Sequence, residues 1–289
     1  MRTMQLGQLG HLGYFTHVAS DVRPSAAYRQ TIELAVAAET LGFSSFWIAQ
    51  HHGNASAGWS PSPLVLLAAV AEHTSTIGLG TAVIAAPLED SRRLAEDAAT
   101  LDVLSEGRLQ LGVGAGSDDV ASDVFGHDFR ARHAECLDVV DQLHGLLSGD
   151  DLVPPAPGLH QRMWWATGTP AAVDAAAARG IGLISGRPAD AAGSTVVDDL
   201  TRYWTRAVEE PRVVLSRFAA WDTPAKELVH RWTNDPAMPW ASGLIVQAQP
   251  TDCRIDRHLE LMRMLADDVA PALDLAMASR RHRSDLASV

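Results

Sequence analysis

Between Ile77 and Gly116 the chain runs apolar, amphipathic, apolar. IGLGTAVIAAP and RLQLGVGAG flank LEDSRRLAEDAATLDVLSEG, in which Leu94, Ala95, Ala98, Leu101 and Leu104 recur at helical spacing with Glu96, Asp97 and Asp102 between them. Strand, crossover helix, strand is the unit of a parallel sheet. Both strands are apolar enough to be covered on two faces.

The same rhythm continues on either side. His11–Val18 reads as a first strand. Ser20 or Asp21 is a candidate cap for a helix that begins near Pro24, continues over Ala26–Leu41 and stops at Gly42. Ser44–Ala49 is a strand and Leu64–His73 a helix. Beyond the opening unit, Gly116–Phe129 reads as an acidic loop, Arg130–Leu147 as a helix, and Asp150–Gln161, with three prolines, as an irregular connector. Strands then fall at Arg162–Ala166, Ile181–Ser185, Pro211–Ala220 and Ser242–Gln247. They alternate with helices at Pro170–Arg179, Ala189–Val208, Pro224–Trp232 and Arg254–Ala278. Eight alternating units predict an α/β fold, a TIM (β/α)8 barrel, with residues 1–289 as a single domain.

Composition narrows the function. A net charge of −12 argues against a nucleic-acid partner, which needs a basic face. The longest apolar run, Leu64–Ala71, is far short of the ~18 residues of a membrane span. The opening residues lack the apolar core of a signal peptide. Two cysteines, Cys136 and Cys253, suit a reducing compartment. The expectation is a soluble cytoplasmic protein.

Barrel chemistry sits at the C-terminal ends of the strands. The segments there are Gln50-His51-His52, Thr81–Pro87, Gly112–Ser117, Gly168-Thr169, Ser185-Gly186, Phe218–Trp221 and Gln247–Pro250. Adjacent histidines at a strand end point to opposite sides, so the pair alone cannot hold a metal, and a zinc hydrolase is poorly supported. Gly112, Gly114 and Gly116 do not have dinucleotide-fingerprint spacing but allow close approach of backbone or a planar ligand. Gly168-Thr169 before Pro170 suits either a plain helix cap or a phosphate. Histidine suits proton transfer near neutrality, although a strand-end histidine is more often structural. Trp59, Trp165 and Trp221 are candidates for an apolar mouth, or equally for the core. Arg187 and Arg217 are the candidates for an acidic substrate group. The run Arg280–Arg283 reads as a solvated end.

Taken in order, LGYF, AETLGFSSFWIAQHH, SPSPLVLLAAVAEHT, IGLGTAVIAAP, RLAEDAATLDVLSEGRLQLGVGAG and VFGHDFRAR closely resemble the bacterial luciferase-like flavin-dependent monooxygenases. The match is dense from Leu12 to Arg132 and thinner through TGTPAAVDAAAARGIGL, VVLSRF, LIVQAQP and LADDVAPAL. The resemblance implies reduced FMN, supplied by a separate flavin reductase, reacting with dioxygen. The resulting C(4a)-hydroperoxide would oxygenate a small organic substrate. It also implies His51 as the catalytic histidine, with Gln50 beside it, and a cis peptide at Ala82–Val83 against the flavin ring. Phe15, Ala82, Val83, Gly114, Gly116, Gly168, Thr169 and Ser185 are implied as cofactor contacts, and a homodimer as the assembly. A deazaflavin-dependent hydride transferase and a non-catalytic flavin-binding paralogue are the alternatives. Two positions depart from the pattern. Gln50 stands where glutamate is usual, which lowers the pKa of His51 if the two interact. Ala115 stands where luciferase has an arginine for the phosphate.

Overall fold

Eight parallel strands close on themselves in the computed structural model, which describes residues 10–53, 55–187, 195–249, 251 and 254–277. The strands are β1 (His11–Thr16), β2 (Ser45–Ile48), β3 (Gly78–Thr81) and β4 (Leu109–Gly114), followed by β5 (Met163–Ala166), β6 (Gly182–Ser185), β7 (Val213–Ala220) and β8 (Gly243–Gln249). Neighbours in sequence are neighbours in space. β1 pairs with β8, and β3 pairs with β4 through Leu79↔Leu109 and Gly80↔Gln110. The expected TIM barrel is thus observed. Its outer helices are α1 (Pro24–Leu41), α2 (Pro63–Ala71), α3 (Ser91–Leu104), α4 (Asp119–Phe125), α5 (Arg132–Ser148), α6 (Pro170–Ala178), α7 (Val196–Arg206), α8 (Ala225–Thr233) and α9 (Ile255–Met264).

Strand alternation sorts the core into two parts. One set of side chains faces the helices and merges with Leu34, Leu67, Leu101 and Val140. The other fills the barrel interior, where Phe15, Trp47, Ala49, Trp164, Ile184, Val214 and Ile245 form a separate buried cluster. Trp47 and Trp164 meet edge to face at 6.2 Å. Each lies over a glycine of the next strand, Gly80 and Gly182, where a Cβ would overlap the ring. These layers form a floor beneath whatever binds at the strand C-termini.

One strand carries an irregularity at that end. After Gly80↔Gln110, pairing resumes at Ile84↔Val113, so three residues oppose two. This is a bulge. The Thr81 hydroxyl bridges it, donating to the Gly112 carbonyl (2.8 Å) and accepting from the Gly112 N–H (2.9 Å). The next peptide bond, Ala82–Val83, is cis, as the resemblance implied.

Several local expectations are corrected. Neither Ser20 nor Asp21 caps α1. Its N-cap is Arg23, without a side-chain bond, and Pro24 starts the helix, while Gly42 ends it at φ 88°. Leu104 is 51% exposed rather than inward, because it lies past the buried stripe that ends at Leu101 and Asp102. The acidic loop contains α4. The Asp118 side chain accepts from the Val120 N–H at 3.0 Å, and Gly126 terminates the turn at φ 72°. Seven residues are too few to show a periodicity. The start of the Ala189–Val208 helix, Pro250, Cys253, Ala278 and Arg280–Arg283 lie outside the described residues.

Candidate active site

At the C-terminal mouth lies a cavity of about 410 Å³. That is within the range of small-molecule sites, ~300–1,000 Å³. Its base is apolar and made of small side chains, Ala49, Ala82, Val83, Ala115 and Ala166, with Ile184. Its rim is polar and carries Asp118, His127, Arg132, His133 and Arg187.

Eight residues expected at the site line this one space: Gln50, His51, Ala82, Val83, Gly114, Gly116, Gly168 and Ser185. The bulge aims the Ala82–Val83 edge inward, and the glycines make room for it. A Cβ on Gly114 would lie 2.8 Å from a Val83 methyl, and one on Gly116 would lie 3.2 Å from the Ala85 Cβ. Two expected contacts lie elsewhere. Phe15 is one layer deeper in the interior cluster, with its ring 4.9 Å from that of His17. Thr169 is the N-cap of α6 and is not among the lining residues.

Both histidines of the pair lie past the end of β2 and both line the cavity, with different neighbours. His51 turns inward, and its Nε2 lies 2.8 Å from His17 Nδ1. Burial, then the neighbouring His17, pushes its pKa down to about 4, with Asp118 opposing. His52 packs its ring against that of Phe125 at 4.7 Å, and burial also lowers its pKa. His52 Nε2 is buried with no hydrogen-bond partner among the described residues. Gln50 does not touch His51. Its Nε2 donates to Glu89 Oε1 (2.8 Å) and the Pro61 carbonyl (3.4 Å), and its Oε1 accepts from the Ala85 N–H (2.8 Å). Where glutamate is usual, this side chain is thus engaged with Ala85, Pro61 and Glu89.

With Ala115 in place of an arginine, two other guanidinium groups stand at the cavity. Arg132 on α5 lies over the Phe129 ring at 3.8 Å, and its Nε is buried without a partner among the described residues. Arg187, paired with Asp199, rests against Gly168. Both line the cavity. Arg217 does not. It is buried on Asp235 at 2.6 Å behind the barrel wall. None of the tryptophans considered for the mouth lines the cavity; Trp165 is in the core, and Trp59 and Trp221 are partly buried against it. Trp165 is fully buried, Trp59 donates to the Val22 carbonyl, and Trp221 packs on His258.

Sequence reasoning passed over His17, Arg132 and Thr167, and named Gln247 only within the strand-end segment Gln247–Pro250. For His17 and Gln247 a signal existed. His17 is two residues past inward Phe15, and Gln247 is two past inward Ile245. Period-two alternation carries both to the mouth.

Residues 10–277 match the sequence profile of the family described as "Luciferase-like monooxygenase". The chain belongs to the luciferase-like monooxygenases. Among relatives, 4-hydroxyprotoasukamycin monooxygenase of Streptomyces nodosus subsp. asukaensis is 35% identical over 208 residues, covering 64% of this chain and 54% of that protein. The oxygenase component of the flavin-dependent trigonelline monooxygenase of Acinetobacter baylyi is 30% identical over 125 residues, covering 43% and 34%. The chain thus spans between a third and just over half of these curated relatives. The crystal structure of monooxygenase RslO1 from Streptomyces bottropensis superposes with a TM-score of 0.77 at 19% identity, over 90% of this chain and 99% of that one. At that identity the likeness concerns the barrel. In this luciferase-like chain no described helix is long and apolar enough to cross a membrane.

Proposed function

We propose that this chain is the oxygenase of a flavin-dependent monooxygenation, taking reduced FMN and dioxygen and transferring one oxygen atom to a small organic substrate. The second oxygen leaves as water. The observation that carries the reading is that neutral His51 and the Ala82–Val83 edge line one cavity of cofactor size.

The residues present fit FMN. The apolar edge at Ala82 and Val83, with Gly114 and Gly116 opposite, is a slot for a planar ring. Backbone at Thr167 and Gly168, with the Arg187 guanidinium and the unpartnered Arg132 Nε, would hold the phosphate. When bound, reduced flavin supplies the two electrons and the activated oxygen. His51 contributes a ring nitrogen free to accept a proton, because burial keeps it uncharged above about pH 5. Helix α4 contributes Ala121 and Ser122 to the wall and shields the site from water. Gln50 acts at one remove, fastening Ala85 beside the slot.

The apolar base suits a small hydrophobic substrate. The reduced flavin would come from a separate reductase. Two copies would associate through α2 and α3, whose Val65, Val103 and Leu104 are exposed. Their molar mass in solution tests that assembly. For the activity, reduced FMN mixed with the protein in air-saturated buffer should reoxidise more slowly than free flavin. Equal rates with and without protein would remove the monooxygenase reading. Tighter binding of a deazaflavin than of FMN would turn it toward hydride transfer.

A further inference from the structure

Three strands supply, one rung above the interior cluster, side chains joined in series. Beyond Phe15 stands His17, beyond Ala49 stands His51, and beyond Ile245 stands Gln247. Gln247 Oε1 lies 2.6 Å from His17 Nε2, and His17 Nδ1 lies 2.8 Å from His51 Nε2. The two rings are 5.1 Å apart and inclined by only 21°.

With the carboxamide oxygen of Gln247 turned toward His17, proton counting along this chain has one solution. A carboxamide oxygen has no proton to give, so His17 Nε2 is the donor to it. A neutral imidazole has a single N–H, so His17 Nδ1 is an acceptor. His51 Nε2 must then donate. Burial disfavours the charged form of both rings. At His51 the neighbouring His17 and His52 add to this and Asp118 opposes it, while at His17 the hydrogen bond to Gln247 opposes it. His51 Nδ1 is left as a bare lone pair, with no hydrogen bond to a described residue. Gln247 also cannot take up a proton, so the series ends there and fixes a tautomer without conducting charge.

Building on the flavin reading of the site, we infer that His17 and Gln247 are positioning residues that hold His51 as its Nε2–H tautomer, making Nδ1 the nitrogen that accepts the proton in the reaction. Nothing in this arrangement needs the cofactor in place. It is a property of the chain.

Side-chain nitrogen NMR of the labelled, flavin-free protein at pH 7.5 tests it, with the His51 signals assigned by their loss in His51→Gln. The expected spectrum shows His51 protonated at Nε2 and bare at Nδ1. His17→Leu removes the acceptor and should give His51 as a mixture of tautomers, with the protein's effect on the rate of reduced-FMN reoxidation down at least tenfold. His17→Asn returns an amide oxygen near the Nδ1 position. It should restore the single tautomer and bring that effect to within about threefold of the parent. Gln247→Glu should move the His17 titration midpoint upward by at least one pH unit. A wild-type His51 protonated at Nδ1, or a His17→Leu protein with an unchanged single tautomer, overturns the inference. If the tautomer is as expected but FMN reoxidation is not slowed, the inference stands and the monooxygenase reading falls.

Discussion

The Arg187 guanidinium occupies the space that a side chain on Gly168 would need. A Cβ there would overlap its Nη2 and lie 2.5 Å from Cζ. The absent side chain thus lets a cation lie flat against the backbone that opens α6, at the edge of the cavity. Gly168→Ala tests whether that placement serves a phosphate. The obstructing atoms are the far end of a flexible side chain, so Arg187 swings away and the fold is kept. The urea midpoint should change by less than ~0.5 kcal/mol equivalent, while FMN affinity falls about tenfold, the loss of one charge-assisted contact. Unchanged affinity by fluorescence quenching would release Arg187 from the role.

A second ion pair separates structural from surface carboxylates on α3. Asp102 is 4% exposed and accepts both Arg162 Nη atoms, at 2.5 and 3.0 Å. The same guanidinium also donates to the Gly107 and Leu109 carbonyls and so ties the end of α3 to β4. Removing one partner of a buried pair strands the other. Asp102→Ala should therefore cost about 3 kcal/mol in urea unfolding. Asp97→Ala, on the exposed pair with Arg93, should cost less than ~0.5 kcal/mol. Similar costs for the two would contradict this division.

The contrast between these two aspartates shows what the sequence could carry. Apolar periodicity placed every barrel strand and the longer helices between them, though not α4, because burial on both faces of a parallel sheet leaves a continuous signal. The same pattern treated Asp97 and Asp102 alike, since which carboxylate is covered depends on Arg162, sixty residues on. The site divides in the same way. Ala82, Val83, Gly114 and Ser185 were legible because strand ends are the mouth of any barrel. Phe15 was placed one rung too high, and His17, the next inward residue, was missed. Gln247 was only part of a strand-end segment, since its pairing with His17 spans the whole chain. Arg132 and Thr167 follow from loop paths, and no spacing encodes those.

His51 makes a prediction for stability against pH. Its pKa in the folded state is about 4, below the ordinary histidine value of ~6.5. Between those values the unfolded chain holds a proton that the folded chain does not. Stability from this residue is therefore complete above about pH 6.5 and is lost as pH falls toward 4. The ring is only partly buried, so solvent screening reduces the effect to on the order of 1–2 kcal/mol. His17 and His52 act in the same direction. His51→Gln should flatten, without abolishing, the fall in urea-unfolding free energy between pH 6.5 and 4.5. A variant whose stability tracks the parent at every pH would show that His51 titrates normally.

Gln50 offers the sharpest separation of support from chemistry. Its amide joins Ala85, beside the slot, to Glu89, whose own pKa is raised by burial. Gln50→Glu keeps an acceptor for the Ala85 N–H but sets a second carboxylate against Glu89 and removes the donor to the Pro61 carbonyl. One of the two acids must then bind a proton or both must repel, at a cost of about 1–2 kcal/mol near pH 8. A raised carboxylate pKa favours the folded state at low pH. The deficit of Gln50→Glu relative to the parent should therefore shrink on acidification toward pH 5 and grow toward pH 8. Gln50→Leu lacks the Ala85 bond and should weaken FMN binding severalfold at every pH without moving the His51 titration. If Gln50→Glu instead raised the His51 pKa in an NMR titration while leaving the pH profile of stability unchanged, the side chain at 50 would be facing the reaction, and its anchoring role would be lost.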